Sequence, residues 1–385
     1  MKKTVAVIFG GRSAEHDVSI ITAYIPIITS LQATGQYNVI PVYISSAGAW
    51  YSTEGMHSLD FFQKTDFVKQ LEGKKQLQFS FDGGLRLIWP GLRPRVEKVD
   101  VVFPAMHGTY GEDGTLMGML RLANVPFVGC DLEASAIAMD KVLTRIVAED
   151  RGIPTTPAVW FTAQDWSLDS KTFTTRINKE LKYPLFVKPV HLGSSIAITR
   201  VAQPTELLNA IEVALHYDDK VVVEQGVENL IEVTLPIIGN DELQLAHIEQ
   251  PLAGFFDFEE KYLKGGKKGS GGVNRRYSNI PAEISDALAE HVRQLGSATY
   301  RAIGASGMAR IDFLINSKTD DIFLIEVNTL PGSLYAHNWK QAGVSSVQLV
   351  TKLIELAEER HTVMRKLAFT FRSDILQKVS AAKFQ

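Results

Sequence analysis

One stretch, residues 307–333, constrains the fold and chemistry of this chain more than any other. Two apolar runs, 308–315 and 322–327, flank a polar loop of Asn, Ser, Lys, Thr and Asp, the pattern of an antiparallel strand pair. Strand side chains alternate between faces, so Arg310 shares a face with Asp312, and Glu326 shares one with Asn328. A register that sets Asp312 opposite Glu326 also sets Arg310 opposite Asn328, and four polar groups then converge on one patch. Two carboxylates and an amide oxygen suit a hard cation such as Mg2+, which takes a few protein oxygens together with substrate phosphates. Arg310 beside that cation would stabilise negative charge developing in a reaction. Taken alone, the hairpin fits equally a pair of solvated salt bridges on an exposed face, since surface ion pairs are common and contribute little.

A chain of 385 residues exceeds what one hydrophobic core supports, so two or three domains are expected. Its net charge of -3 offers no broad attraction to nucleic acid or acidic membranes, so any polyanion it binds is small and held locally. The single cysteine, Cys130, excludes an internal disulfide and fits a reducing compartment, as a buried spectator. Two lysines precede the first apolar run, but that run is short and gives way to Arg12, Glu15, His16 and Asp17. It therefore reads as a first strand of a cytoplasmic protein, not a signal peptide. No apolar stretch is long enough to span a bilayer.

The run 4–9, the turn Gly10-Gly11 and a helical pattern from Ser13 to Leu31 begin a parallel α/β sheet, continued by strands at 39–44 and 99–104 and a further short one at 125–128. Residues 45–96 are poorly patterned, with short strands near 77–81 and 85–89 and no assignable chemistry. One helix is expected over 134–150. Alternating short strands and helices then suggest a small α+β unit to about residue 226, and a larger one follows that contains the hairpin. The helix after Gly343 and the charged tail read as peripheral. No internal repeat is evident.

In FVKPVHLGSS, residues 186–195, Lys188 ends a buried strand that runs into Gly193-Ser194-Ser195. Small residues let backbone N–H groups approach phosphate oxygens, and the lysine adds a point charge; a plain hairpin turn is the simpler alternative. Lys141 lies on an amphipathic helix, where solvent exposure is the ordinary reading. Residues 222–227 leave a strand for a polar linker, which suits either an adenine edge or a domain connection. Residues 255–272 combine aromatics, Lys261, Tyr262 and a basic glycine-rich loop, as a lid or a surface insertion would. His107, Glu112 and Asp113 sit among glycines after a parallel strand, where α/β sheets place ligands, and Glu15 holds the equivalent place after the first strand.

Together FGGRSAEHDVSI, HGTYGEDGTLMGML, SAIAMDKVLTR, FVKPVHLGSS, FFDFEEKYL and the hairpin block resemble the ATP-grasp enzymes and, among them, the D-alanine–D-alanine ligases. The blocks stand in that family's order and cover most of residues 4–335. The resemblance implies an α/β, three-domain ATP-grasp enzyme: a Rossmann-like parallel sheet in 1–130, a central ATP-grasp unit in 131–226 and a C-terminal one in 227–385. It implies ATP-dependent joining of two D-alanines through an acyl phosphate for peptidoglycan synthesis, with two Mg2+ ions, or Mn2+ in their place, in a cytoplasmic homodimer. Residue by residue, Glu15 would hold the first ammonium and His107 would join the substrate network. Lys141 and Lys188 would hold phosphates. Glu224 would belong to the ATP site, Gln225 and Val227 would present backbone to the adenine, and Glu232 or Glu228 would stand at the ribose. Ser194 would join Glu15 and Tyr262 over the substrates, and Lys261 would reach the γ-phosphate. Asp312, Glu326 and Asn328 would bind the metals, with Arg310 and the Gly332 N–H forming an oxyanion hole.

Several positions depart from the family pattern. Ala197 replaces a glycine of the phosphate loop, and the loop after Lys264 is longer than usual. His337-Asn338 stand where a Ser-Leu pair is expected to grip the second carboxylate, so one of them is expected to replace the serine. In the family Tyr262 accompanies amide formation, which favours D-alanine as second substrate over D-lactate; a ligase with a different second substrate, D-lactate or D-serine, is the alternative. A catalytically silent ATP-binding regulator is the remaining rival, disfavoured because mere binding needs no arginine beside the metals.

Overall fold

The computed structural model describes residues 2–252 and 278–378. Three four-stranded sheets organise it. The first places Tyr37–Ile44, Lys3–Gly10 and Val101–Pro104 side by side in parallel, with Trp50–Tyr51 antiparallel at one edge. Thr4 to Gly10 are all buried, as expected of a parallel strand covered on both faces. Helical residues Ile20, Ile27 and Leu31 cover one face, and Leu116, Met117 and Leu120 cover the other.

The helix after Gly11 begins at His16 and widens into a π turn over Ala23–Ile28, around Pro26, before ending at Thr34. Proline supplies no N–H to the helical ladder, and a wider turn accommodates the gap. Residues 45–96 include a small antiparallel sheet of Gln78–Ser80, Arg86–Trp89 and Arg95–Lys98. Its Leu87, with Leu85, packs beneath the first sheet. Residues 125–128 make only an isolated bridge, Val102 with Phe127, where a strand was expected. The helix Ser346–Met364 is not peripheral. Leu349, Val350, Leu353 and Ile354 enter the same core as Val5, Phe9 and Ile27.

The helix expected over 134–150 is two, Leu132–Met139 and Lys141–Asp150, broken at Asp140. Asp140 Oδ1 accepts the N–H groups of Val142 and Leu143 at 2.8 and 2.9 Å, so an aspartate that is costly inside a helix caps the second one. The break puts Lys141 at a helix start. The second sheet orders Thr199–Val201, Leu185–Pro189, Lys220–Gln225 and Ala158–Thr162, all antiparallel. The third orders Leu243–Leu245, Leu230–Gly239, Gly307–Asn316 and Ile322–Asn328, backed by the helix Asp286–Ala302.

Candidate active site

The hairpin adopts the register that gathers its polar residues: Asp312 pairs with Glu326, and Arg310 with Asn328. A bulge follows Asp312. Arg310 Nε donates to Asp312 Oδ1 at 2.8 Å, and Nη2 reaches Glu326 Oε1 at 3.5 Å. Burial opposes the guanidinium charge, but Asp312 outweighs it and holds the Arg310 pKa well above its ordinary value. Asn328 Oδ1 is buried without a hydrogen-bond partner among the described residues. A buried amide oxygen left unpaired is unfavourable, and beside two carboxylates it makes an all-oxygen donor set that fits a hard divalent cation.

These residues line a cavity of about 700 Å³ shared by all three sheets. On the second sheet, Lys188 Nζ binds Glu224 Oε2 at 2.7 Å, and Arg145 Nη2 binds Glu224 Oε1 at 3.1 Å. Burial opposes ionisation of Glu224, yet these two cations hold its pKa below the usual carboxylate range. The Glu224 carboxylate thus fixes Lys188 in place. Arg145 was not anticipated from the sequence, although its spacing of four from Lys141 puts both on one helix face. Lys141 Nζ donates to Leu192 O at 2.6 Å and Val190 O at 3.3 Å, and burial lowers its pKa. Gln225, Val227 and Glu232 line the cavity; Glu228 does not. The Gln225 N–H is taken by Pro157 O at 2.9 Å.

The phosphate-loop candidate reaches across to the first sheet, where Ser194 Oγ donates to Glu15 Oε1. Ser194, Ser195 and Ala197 all have φ between 53 and 59°. Glu15 is buried, and Glu112 beside it accepts the N–H groups of Gly108 at 2.7 Å and Leu330 at 3.3 Å. Burial, reinforced by the Glu15 charge, pushes Glu112 up to about 8. His107 Nε2 meets Thr22 Oγ1 at 2.8 Å, and that hydroxyl accepts the Ser333 N–H at 3.1 Å.

Gly332 and Ser333 line the cavity and begin a turn in which Ser333, Leu334 and Tyr335 have φ of 51, 54 and 53°. Left-handed backbone costs non-glycine residues about 1–2 kcal/mol each, so the turn needs anchors. Leu334 is buried, the Tyr335 hydroxyl lies 3.2 Å from Thr234 Oγ1, and the Tyr335 ring lies 5.3 Å from the Arg310 guanidinium.

Of the pair His337-Asn338, only His337 lines the cavity. Asn338 is fully buried: its Nδ2 donates to His247 O at 3.0 Å and Glu249 Oε2 at 3.1 Å, and its Oδ1 accepts the His247 N–H at 3.1 Å. Its amide is spent on the fold, which corrects the expectation that it grips a substrate carboxylate. A Ser-Leu pair does occur, four residues earlier, at Ser333-Leu334. Lys261, Tyr262 and the loop 264–272 lie outside the described residues.

Family models described as D-ala D-ala ligase N-terminus and C-terminus match residues 4–130 and 147–355. A D-alanine–D-alanine ligase of Chloroherpeton thalassium is 35% identical over 383 residues, covering 94% of this chain and 98% of that protein. One from Bacillus velezensis is 34% identical, covering 94% and 100%. The solved D-alanine-D-alanine ligase of Coxiella burnetii superposes with a TM-score of 0.79 at 28% identity, covering 95% of this chain and 96% of that one. The VanG D-Ala:D-Ser ligase of Enterococcus faecalis gives 0.76 at 32% identity, covering 93% and 100%.

Proposed function

The chain belongs to the D-alanine–D-alanine ligase family, and from that premise we propose how its cavity joins two molecules of D-alanine, using ATP, through an acyl phosphate. The supporting observation is the strand register that sets Arg310, Asp312, Glu326 and Asn328 on one patch with an unpaired buried oxygen. A carboxylate is inert towards amines and an acyl phosphate is not, so phosphorylating the first D-alanine is the activating step. Positioning and fixed charge carry most of the acceleration.

In this reading Glu15, held by Ser194, takes the first ammonium, and His107 orders the same end of the cavity through Thr22. Lys141 and Lys188 hold phosphates, the latter aimed by Glu224 and Arg145. Gln225 and Val227 border the adenine and Glu232 takes the ribose. Asp312, Glu326 and Asn328 would hold two Mg2+ ions, or Mn2+, whose charge screens the phosphates from the attacking carboxylate. Arg310 and the Gly332 N–H stabilise the oxyanion. Ser333, in place of Asn338, offers its hydroxyl to the second carboxylate. Lys261 and Tyr262 are assigned from family resemblance to the γ-phosphate and to a cover over the substrates.

Three functional units follow, 1–130, 131–226 and 227–385, an ATP-grasp arrangement in which the helix Ser346–Met364 of the third packs on the first. The same resemblance supports a cytoplasmic homodimer serving peptidoglycan synthesis. Phosphate release should require Mg-ATP and D-alanine together, with D-alanyl-D-alanine as the product by mass. Release that ignores D-alanine, or predominant D-alanyl-D-lactate or D-alanyl-D-serine in competition, would overturn the reading.

A further inference from the structure

Two imidazoles line the cavity: His107, bound to Thr22, and His337, which a buried carboxylate orients. His337 Nε2 lies 2.9 Å from Glu249 Oε2. Glu249 is buried, and although burial opposes its charge, His337, Asn338 and Ser278 hold its pKa below the usual carboxylate range. An ionised carboxylate only accepts, so Nε2 carries a proton in either charge state of the ring, and whenever the ring is neutral Nδ1 carries the lone pair. In that neutral state the lone pair repels a substrate carboxylate, the group first expected to meet His337. It suits an acid proton instead. The ring is fixed against Tyr335, with centroids 4.8 Å apart, and Tyr335 packs on Arg310, so the dyad sits beside the oxyanion site and Ser333. Glu112, whose pKa burial and the Glu15 charge raise, has both oxygens engaged by the Gly108 and Leu330 N–H groups.

We propose that His337, oriented by Glu249, is the general base that deprotonates the ammonium of the second D-amino acid. The inference rests on the ligase reading above. Nδ1 takes one ammonium proton, and the freed amine attacks the acyl phosphate carbon. The C–N bond forms, the C–O bond to phosphate breaks, and the second amine proton leaves with inorganic phosphate. The imidazolium returns its proton to water, to which the His337 side chain is 53% exposed. The arrangement parallels other carboxylate–imidazole bases, in which the acid fixes the tautomer and stabilises the imidazolium.

Hydroxylamine, an amine already neutral at neutral pH, needs no base and reports the first half-reaction alone. In His337→Gln, which keeps a donor for Glu249, D-alanyl-D-alanine formation should fall about a hundredfold. D-alanine-dependent hydroxamate formation should stay within about twofold of wild type. Glu249→Gln should show the same split, less strongly. Unchanged dipeptide formation in His337→Gln, or dipeptide and hydroxamate falling together, would overturn the proposal. Failure of the ligase reading itself would show separately, as wild-type protein forming no hydroxamate from D-alanine and ATP.

Discussion

At the scale of residues, the site is a set of charges that are each unfavourable to bury and become tolerable only together. Arg310 is nearly inaccessible, and without Asp312 and Glu326 its buried charge would be uncompensated. The converse gives a prediction. Asp312→Asn or Glu326→Gln removes one carboxylate that holds the metal against ATP, so turnover should fall about a hundredfold or more while the circular dichroism spectrum is kept. Activity within threefold of wild type in both variants would discard the metal assignment. The identities of these residues could be read from alternation along two strands. Arg145 could not, because nothing in a single helix says that the strand Lys220–Gln225 will bring Glu224 within 3.1 Å of it.

At the scale of elements, the phosphate loop is tied where it leaves its strand, at residues 190–192. Lys141 at a helix start binds two of its carbonyls, and His191 within it binds Asp218 through the backbone N–H at 2.6 Å and Nδ1 at 2.9 Å. His191 Nε2 lies 3.3 Å from Asp140, which Lys220 also binds, at 2.8 Å. The bonds to Asp140 and Asp218 raise His191 to about 9. A folded-state pKa above the unfolded value of about 6.5 means that this stabilisation is complete below 6.5 and is lost as pH rises through about 9. His191→Ala should therefore cost about 1 kcal/mol at pH 6, after discounting for solvent exposure. The gap to wild type in urea midpoint should close by pH 9.5, and a constant gap would contradict the clamp. Ala197 adds strain to the same loop: at φ 56° it occupies backbone that glycine adopts freely, which puts the departure from the family pattern at a position where it matters.

At the scale of the whole molecule, the chain closes on itself, because the helix Ser346–Met364 covers the sheet that begins at Lys3. Leu353→Ala should accordingly destabilise the protein by about 2–5 kcal/mol, measured by equilibrium denaturation, whereas a truly peripheral helix would show less than 0.5 kcal/mol. The sequence by itself determined the strands, their alternation and hence which polar residues share a face, since those follow from local periodicity. It also determined the order of the functional blocks. Only the tertiary structure decided the rest. The strand Arg95–Lys98 that completes the small sheet is too short and polar to show a period, and Asp140 ends a helix only because its side chain turns back on the next one. Asn338 looks like a free amide in the sequence, yet His247, ninety-one residues away, takes both ends of it. Side-chain valence is satisfied across the fold, and no local pattern records which partner arrives.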